Sequence, residues 1–291
     1  MVIKLKNKQI KIKSKISDFR TIKCPTILII DSGVGGLSIY DKVRQLLPHV
    51  CYLYVFDNAA FPYGNKTTQF IIDRMIVIIN AMSILHQLDL VILACNTAST
   101  ASLPLLRNYF NFPIIGVVPA IKPAAKITRN GIIGLLATHA TVQCSYVYAL
   151  INQFAKNCQI LRFSAPELVE LAEAKFYGEV VSLSTLRQLF HPWLSMIDAP
   201  DTIVLGCTHF PFLNRELQTI FPHSTYLVDS GTAIAYRTLW LVNHCLNINC
   251  TQDFSKFNQV YCLTTTMTKK VVTMMSNLNH YGFKSIKQLI I

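Results

Sequence analysis

Leu90-Val91-Ile92-Leu93-Ala94 runs into Cys95-Asn96-Thr97, and Thr202-Ile203-Val204-Leu205-Gly206 runs into Cys207-Thr208-His209. Each is a short apolar run closed by small polar residues, which reads as a strand buried on both faces with a loop at its carboxyl end. Similar runs recur at residues 26–30, 51–56, 113–118, 132–136 and 226–228, with longer helix-like stretches between them. That alternation predicts an α/β architecture of mainly parallel sheets flanked by helices. Ligands of such sheets bind beyond the carboxyl ends of the strands, so the residues following each run are the ones to search.

The run ends echo one another. Besides the two cysteine ends, residues 27–30 lead into Asp31-Ser32-Gly33 and residues 226–228 into Asp229-Ser230-Gly231. The pairing predicts an internal repeat, two related halves facing each other.

Composition narrows the function. At 291 residues the chain suits one large or two medium domains. Hydrophobic residues make up 52%, yet no uninterrupted apolar run is long enough to cross a membrane; residues 71–99 come closest, broken by Asp73, Arg74, His86 and Asp89. A cytoplasmic protein with no membrane partner is expected. Of the formal charge of +12, a net +7 sits in the first 25 residues, where Lys4, Lys6, Lys8, Lys11, Lys13, Lys15, Arg20 and Lys23 face only Asp18. Residues 1–21 therefore read as a flexible, solvated basic extension, with nucleic acid or an anionic ligand as the alternative use. No apolar core of a signal peptide follows these charges. Nine cysteines form no CxxC pair and no zinc spacing with the eight histidines, which predicts reduced thiols and no metal.

Asp31-Ser32-Gly33-Val34-Gly35-Gly36-Leu37 joins a strand to a helix predicted over 38–47, closed by Pro48. The order G-x-G-G excludes the dinucleotide fingerprint, and the lack of Lys-Ser/Thr excludes a P-loop. Its N–H groups suit a carboxylate, and an aspartate at its mouth would repel phosphate but receive an ammonium group. Phe61-Pro62-Tyr63-Gly64-Asn65-Lys66 reads as a turn at the same sheet edge.

One cysteine at a strand end reads as structural; two in matched contexts read as a working pair. Inverting an α-carbon requires one group to take the proton from one face and another to deliver a proton to the opposite face, which two facing thiols can do. A thiol is about a dozen pKa units less basic than an α-carbanion, roughly 16 kcal/mol, so the site must stabilise the carbanion electrostatically and away from water. Asp31 and His209 are placed to adjust the thiols. His209, two residues beyond Cys207, reads as functional, whereas His49, His86, His139, His191, His223, His244 and His280 read as structural or surface residues. A cysteine hydrolase with His209 activating Cys207 is the rival reading, but sequence neighbours make a poor catalytic pair, and Cys95 is left without a role.

Residues 31–38 (DSGVGGLS), 61–64 (FPYG), 94–99 (ACNTAS), 116–124 (GVVPAIKPA) and 205–211 (LGCTHFP) together resemble bacterial glutamate racemase, and residues 169–175 (VELAEAK) resemble its gamma-proteobacterial branch. The resemblance runs from about Thr26 to the C-terminus. It implies interconversion of L- and D-glutamate without pyridoxal phosphate (PLP) or metal, supplying D-glutamate for peptidoglycan. Cys95 would deprotonate D-glutamate and Cys207 L-glutamate, assisted by Asp31, His209 and Glu173. Substrate contacts would come from Asp31, Ser32, Tyr63, Gly64, Asn96, Thr97, Thr138, Thr141, Thr208 and His209. The implied fold has two pseudo-symmetric domains with the active site in the cleft between them, here residues 22–119 plus 230–291, and residues 120–229.

Two features depart from the family pattern. His139 and Ala140 stand in the loop between Thr138 and Thr141, where a glycine is common, and the basic extension lies outside the shared core. Relatives in this branch respond to UDP-N-acetylmuramoyl-L-alanine, making it the expected activator. Aspartate is the alternative substrate, DNA gyrase a possible second partner through the basic extension, and a monomer or homodimer the expected assembly.

Overall fold

Strand β1 (Thr26–Asp31) is buried along its whole length, as a doubly covered parallel strand of apolar residues must be. It lies at the centre of the first sheet in this computed structural model, which describes residues 24–245 and 260–291. The expected basic extension falls outside the described residues. Next come β2 (Cys51–Phe56), β3 (Leu90–Leu93), β4 (Ile114–Gly116), β5 (Ile132–Ala137), β6 (Gln159–Ser164), β7 (Thr202–Leu205), β8 (Tyr226–Val228), β9 (Val260–Thr264) and β10 (Ile286–Gln288). Among the described residues they form two parallel sheets, ordered β10-β9-β2-β1-β3-β4 and β6-β5-β7-β8.

The two sheets share one wiring, and the register matches residue for residue. In the first, β1 pairs with β2 from Thr26↔Cys51 to Asp31↔Phe56, and with β3 from Ile27↔Leu90 to Ile30↔Leu93. In the second, β5 pairs with β6 from Ile132↔Gln159 to Ala137↔Ser164, and with β7 from Ile133↔Thr202 to Leu136↔Leu205. Cys95 and Cys207 therefore occupy equivalent positions, each two residues beyond its strand. The second echo is different: Asp31 ends β1, whose counterpart is β5, whereas Asp229 follows β8, the counterpart of β4. The true counterparts of Asp31-Ser32 are Ala137-Thr138.

Helices cover the sheets as their periodicity demands. Helix α1 (Leu37–Leu46) buries Leu37, Ile39, Tyr40 and Val43, and ends just ahead of Pro48 as expected. Helix α2 (Thr68–Leu85) is 18 residues long with a mean hydropathy of 1.5, long and apolar enough by length and composition to cross a membrane, because Asp73 and Arg74 do not interrupt it. Here one face of it packs on the core. Ile71, Met75, Ile78, Ile79 and Met82 make one buried stripe, and each such side chain contributes about 1.5–3 kcal/mol on burial. Helix α3 (Asn96–Tyr109) starts directly after Cys95. Ser99 fixes its first turn, donating from Oγ to the Leu93 carbonyl (2.9 Å) and accepting from the Val117 N–H (2.9 Å).

Three strands escape the periodicity reading. β6 is a sheet edge with a half-exposed, mixed sequence, β9 starts half-buried and ends in threonine, and β10 is a three-residue, largely exposed edge. β9 and β10 extend the first sheet from the far end of the chain, so that sheet is assembled from both ends of the sequence.

Candidate active site

Both cysteines lie where the carboxyl ends of the two sheets meet. Cys95 is 7% and Cys207 8% exposed, and the groups around them are still more enclosed: Asp31 is 0%, His209 2% and Thr208 3% exposed. Contacts between the halves are polar and direct. Thr208 Oγ1 donates to Asp31 Oδ2 (3.0 Å), Ser38 Oγ to the Thr208 carbonyl (2.9 Å), and the Val34 N–H to Glu173 Oε1 (2.9 Å). Thr97 Oγ1 lies 3.2 Å from Thr138 Oγ1, which in turn donates to Thr141 Oγ1 (3.1 Å).

Two N–H groups of the glycine loop are bonded to protein carboxylates. Besides the Val34 bond to Glu173, the Ser32 N–H donates to Asp31 Oδ1 at 2.5 Å. Close approach also explains its glycines: a methyl carbon at Gly33 would sit 2.3 Å from Glu173 Oε1.

The thiols differ in their neighbours. Cys207 Sγ lies 3.7 Å from His209 Nδ1, and His209 Nε2 lies 2.8 Å from Glu173 Oε1, a buried chain of thiol, imidazole and carboxylate. Burial alone would pull His209 down, but its bonds to Cys207 and Glu173 hold it well above the ordinary 6.5. Cys95 has Ser32 Oγ at 3.9 Å and sits at the N-terminus of α3. Burial, reinforced by the Asp31 charge, pushes its thiol up despite the Ala98 N–H. Burial likewise raises Asp31, against the pull of His209. Burial and the Asp31 charge thus favour a proton on Cys95, whereas Cys207 has the His209 imidazole beside it.

The remaining predicted residues converge here. Tyr63 is buried in the same apolar cluster as Cys95, and a methyl carbon at Gly64 would lie 3.5 Å from Thr138 Cβ. Asn96 is 3% exposed, and its Nδ2 has no hydrogen-bond partner among the described residues. A buried donor left so costs about 1–3 kcal/mol until an acceptor arrives. His139 and Ala140 do not displace the threonines: residues His139–Val142 form one helical turn capped by the Thr138 side chain, with Thr141 fully buried. Asp57, absent from the sequence-derived set, also stands at this edge. It follows β2 directly, so the criterion that selects Cys95 and Cys207 selects it too, although the neighbouring 61–66 turn draws the eye.

A charged His209 has a thermodynamic signature. A folded-state pKa raised above the unfolded one gives stability that is full below the unfolded value, 6.5, and is lost as pH rises through the raised value. The melting-temperature gap between wild type and His209→Gln is expected to be widest near pH 6 and to shrink on the alkaline side. A gap that stays constant to about pH 10 would mean a neutral imidazole.

Two like-wired parallel sheets, each presenting one thiol to a shared, charge-lined region, define an enzyme of the racemase class: a family model described as Asp/Glu/Hydantoin racemase matches residues 27–238. The glutamate racemase of Sodalis glossinidius is 58% identical over 270 residues, 93% of this chain and 92% of that protein. That of Pectobacterium carotovorum subsp. carotovorum is 57% identical over 91% of each. Among solved structures, Escherichia coli glutamate racemase, crystallised with L-glutamate and the activator UDP-MurNAc-ala, aligns with a TM-score of 0.85 at 50% identity, covering 92% of this chain and 98% of that one. The chain belongs to the glutamate racemase family.

Proposed function

We propose that the protein interconverts L- and D-glutamate by a two-thiol mechanism that needs neither PLP nor metal. The observation that carries this reading is the placement of Cys95 and Cys207 at equivalent positions of two like-wired sheets, with Ser32 beside the one thiol and the His209–Glu173 pair beside the other. In the L-to-D direction the Cys207 thiolate takes the α-proton, and the Cys95 thiol delivers its own to the opposite face. His209, held by Glu173, steadies the Cys207 thiolate before the transfer. Asp31 is suited to the substrate ammonium, and Asn96 Nδ2, without a partner among the described residues, to a substrate carboxylate. Ser32, Tyr63, Gly64, Thr97, Thr138, Thr141 and Thr208 complete the contact set.

D-glutamate made this way serves peptidoglycan synthesis in the cytoplasm, and UDP-N-acetylmuramoyl-L-alanine is the proposed activator, as it is for the Escherichia coli relative. The sheets draw on residues 26–116 with 260–288, and on 132–228, which supports a division into residues 22–119 plus 230–291 and residues 120–229. Purified protein given L-glutamate, without PLP or added metal, is expected to form D-glutamate, faster with the muramoyl nucleotide present. L-aspartate tested alongside should turn over far more slowly. Conversion of aspartate alone would replace the glutamate reading, and a rate unmoved by saturating nucleotide would remove the activator.

A further inference from the structure

One buried charge at this sheet edge has no part in the proton transfers. Asp57 is 0% exposed and collects four donors on its carboxylate. Arg74 of α2 binds it through both arms, Nε to Oδ2 at 2.6 Å and Nη2 to Oδ1 at 2.7 Å. The Tyr63 hydroxyl donates to Oδ2 at 2.7 Å, and Thr265 Oγ1 to Oδ1 at 2.6 Å. A planar fork on a carboxylate fixes orientation as well as energy, so Asp57 cannot turn without breaking both arms.

The three residues that supply these donors come from separate parts of the chain. Thr265 follows β9, the strand that returns from the far end of the sequence. It also accepts from the Ala59 N–H (3.0 Å), while Asn58 Oδ1 accepts from the Thr266 N–H (2.9 Å) and Asn58 Nδ2 donates to the Thr266 carbonyl (2.7 Å). Residues 57–59 are thus fastened to residues 264–266. Tyr63 is the member of this group that reaches the site: it shares a buried cluster with Cys95, and the next residue, Gly64, meets Thr138 of the opposite half. Phe61, in the same turn, lies 5.9 Å from the His209 ring.

We propose that Asp57, locked by Arg74 and anchored by Thr265, is a positioning residue that holds Tyr63 and the residue 61–64 turn against Cys95. It touches neither thiol and acts through the Tyr63 hydroxyl. In the catalytic test this inference rests on the glutamate racemase reading, so a second readout is needed that does not.

Thr265→Val keeps the shape and removes the donor, and Thr265→Ser restores the hydroxyl. Thr265 is not in the catalytic or binding set. The expected result for Thr265→Val is a KM for L-glutamate raised about tenfold with kcat within about threefold of wild type, and near-complete rescue in Thr265→Ser. Independently of substrate, iodoacetamide should alkylate Cys95 several-fold faster in Thr265→Val than in wild type, while Cys207 keeps its rate, as read by peptide mass spectrometry. Arg74→Met should change both readouts in the same direction. If Thr265→Val and Arg74→Met lower the melting temperature yet leave KM and Cys95 alkylation unchanged, Asp57 is only a structural ion-pair partner and the proposal is overturned. If wild type racemises no glutamate but Cys95 alkylation still responds, the positioning role stands and the substrate reading fails.

Discussion

Alanine at either Cys95 or Cys207 is expected to lower kcat/KM for glutamate racemisation by at least about a thousandfold, the scale of losing one member of an acid–base pair. The loss must be equal in the two directions, because enantiomers have the same free energy and the ratio of the two kcat/KM values is fixed by an equilibrium constant of one. Direction is visible instead in exchange of the α-proton. In heavy water, Cys95→Ala keeps the thiol assigned to L-glutamate and should place deuterium in L-glutamate without inverting it. Cys207→Ala should do so only for D-glutamate. The measurements are proton NMR of the α-position together with chiral analysis of the product. Exchange of both enantiomers by one single-thiol variant, or appreciable racemisation by either, would exclude the assignment of one thiol to each face.

The second large effect is steric. A methyl carbon added at Gly35 would lie 2.5–2.8 Å from Nδ1, Cε1 and Cγ of His209. The ring has nowhere to go: it is 2% exposed, with Cys207 on one nitrogen and Glu173 on the other. Either the loop before α1 retreats or the ring swings away from Cys207. A misplacement of about 1 Å is enough to cost on the order of a hundredfold, so Gly35→Ala should lose at least that in kcat/KM while keeping its far-ultraviolet circular dichroism. Gly64→Ala is the contrast, since its added carbon meets Thr138 at 3.5 Å, an ordinary contact, and its effect should be much milder. Wild-type kcat/KM in Gly35→Ala would mean that catalysis does not depend on the His209 position described above.

What the sequence made legible follows from where burial constrains composition. Strands covered on both faces must be continuously apolar, so β1, β3 and β7 stand out, and the residues at or just beyond their ends are the ones proposed to act. β6 was hidden because an edge strand faces solvent and its Gln159 to Ser164 sequence offers no continuous apolar run, Arg162 interrupting it. The Asp-Ser-Gly echo misled for a different reason. A short acidic-polar-glycine step suits many junctions between a strand and a helix, and Gly231 uses it locally by donating its N–H to Asp229 Oδ1 (2.7 Å). Asp57 was hard to see because its three donor residues, Tyr63, Arg74 and Thr265, come from elements whose meeting is decided by sheet order rather than by spacing. Glu173 lies 139 residues from the Val34 N–H it binds, and no local pattern marks that partnership; family likeness did.

The matched register makes one difference between the halves conspicuous: Asp31 stands where the second half has Ala137. On the proposed mechanism each turnover moves one proton from the substrate onto one thiol and another off the opposite thiol, so an enzyme that has just released D-glutamate is primed for D-glutamate. Before accepting L-glutamate again it must reset. A perfectly symmetric site would reset without preference, but burial and the Asp31 charge disfavour the Cys95 thiolate. The molecule therefore has a built-in home position. It carries a brief memory of the hand it last let go, and it forgets in one direction, toward readiness for the L form.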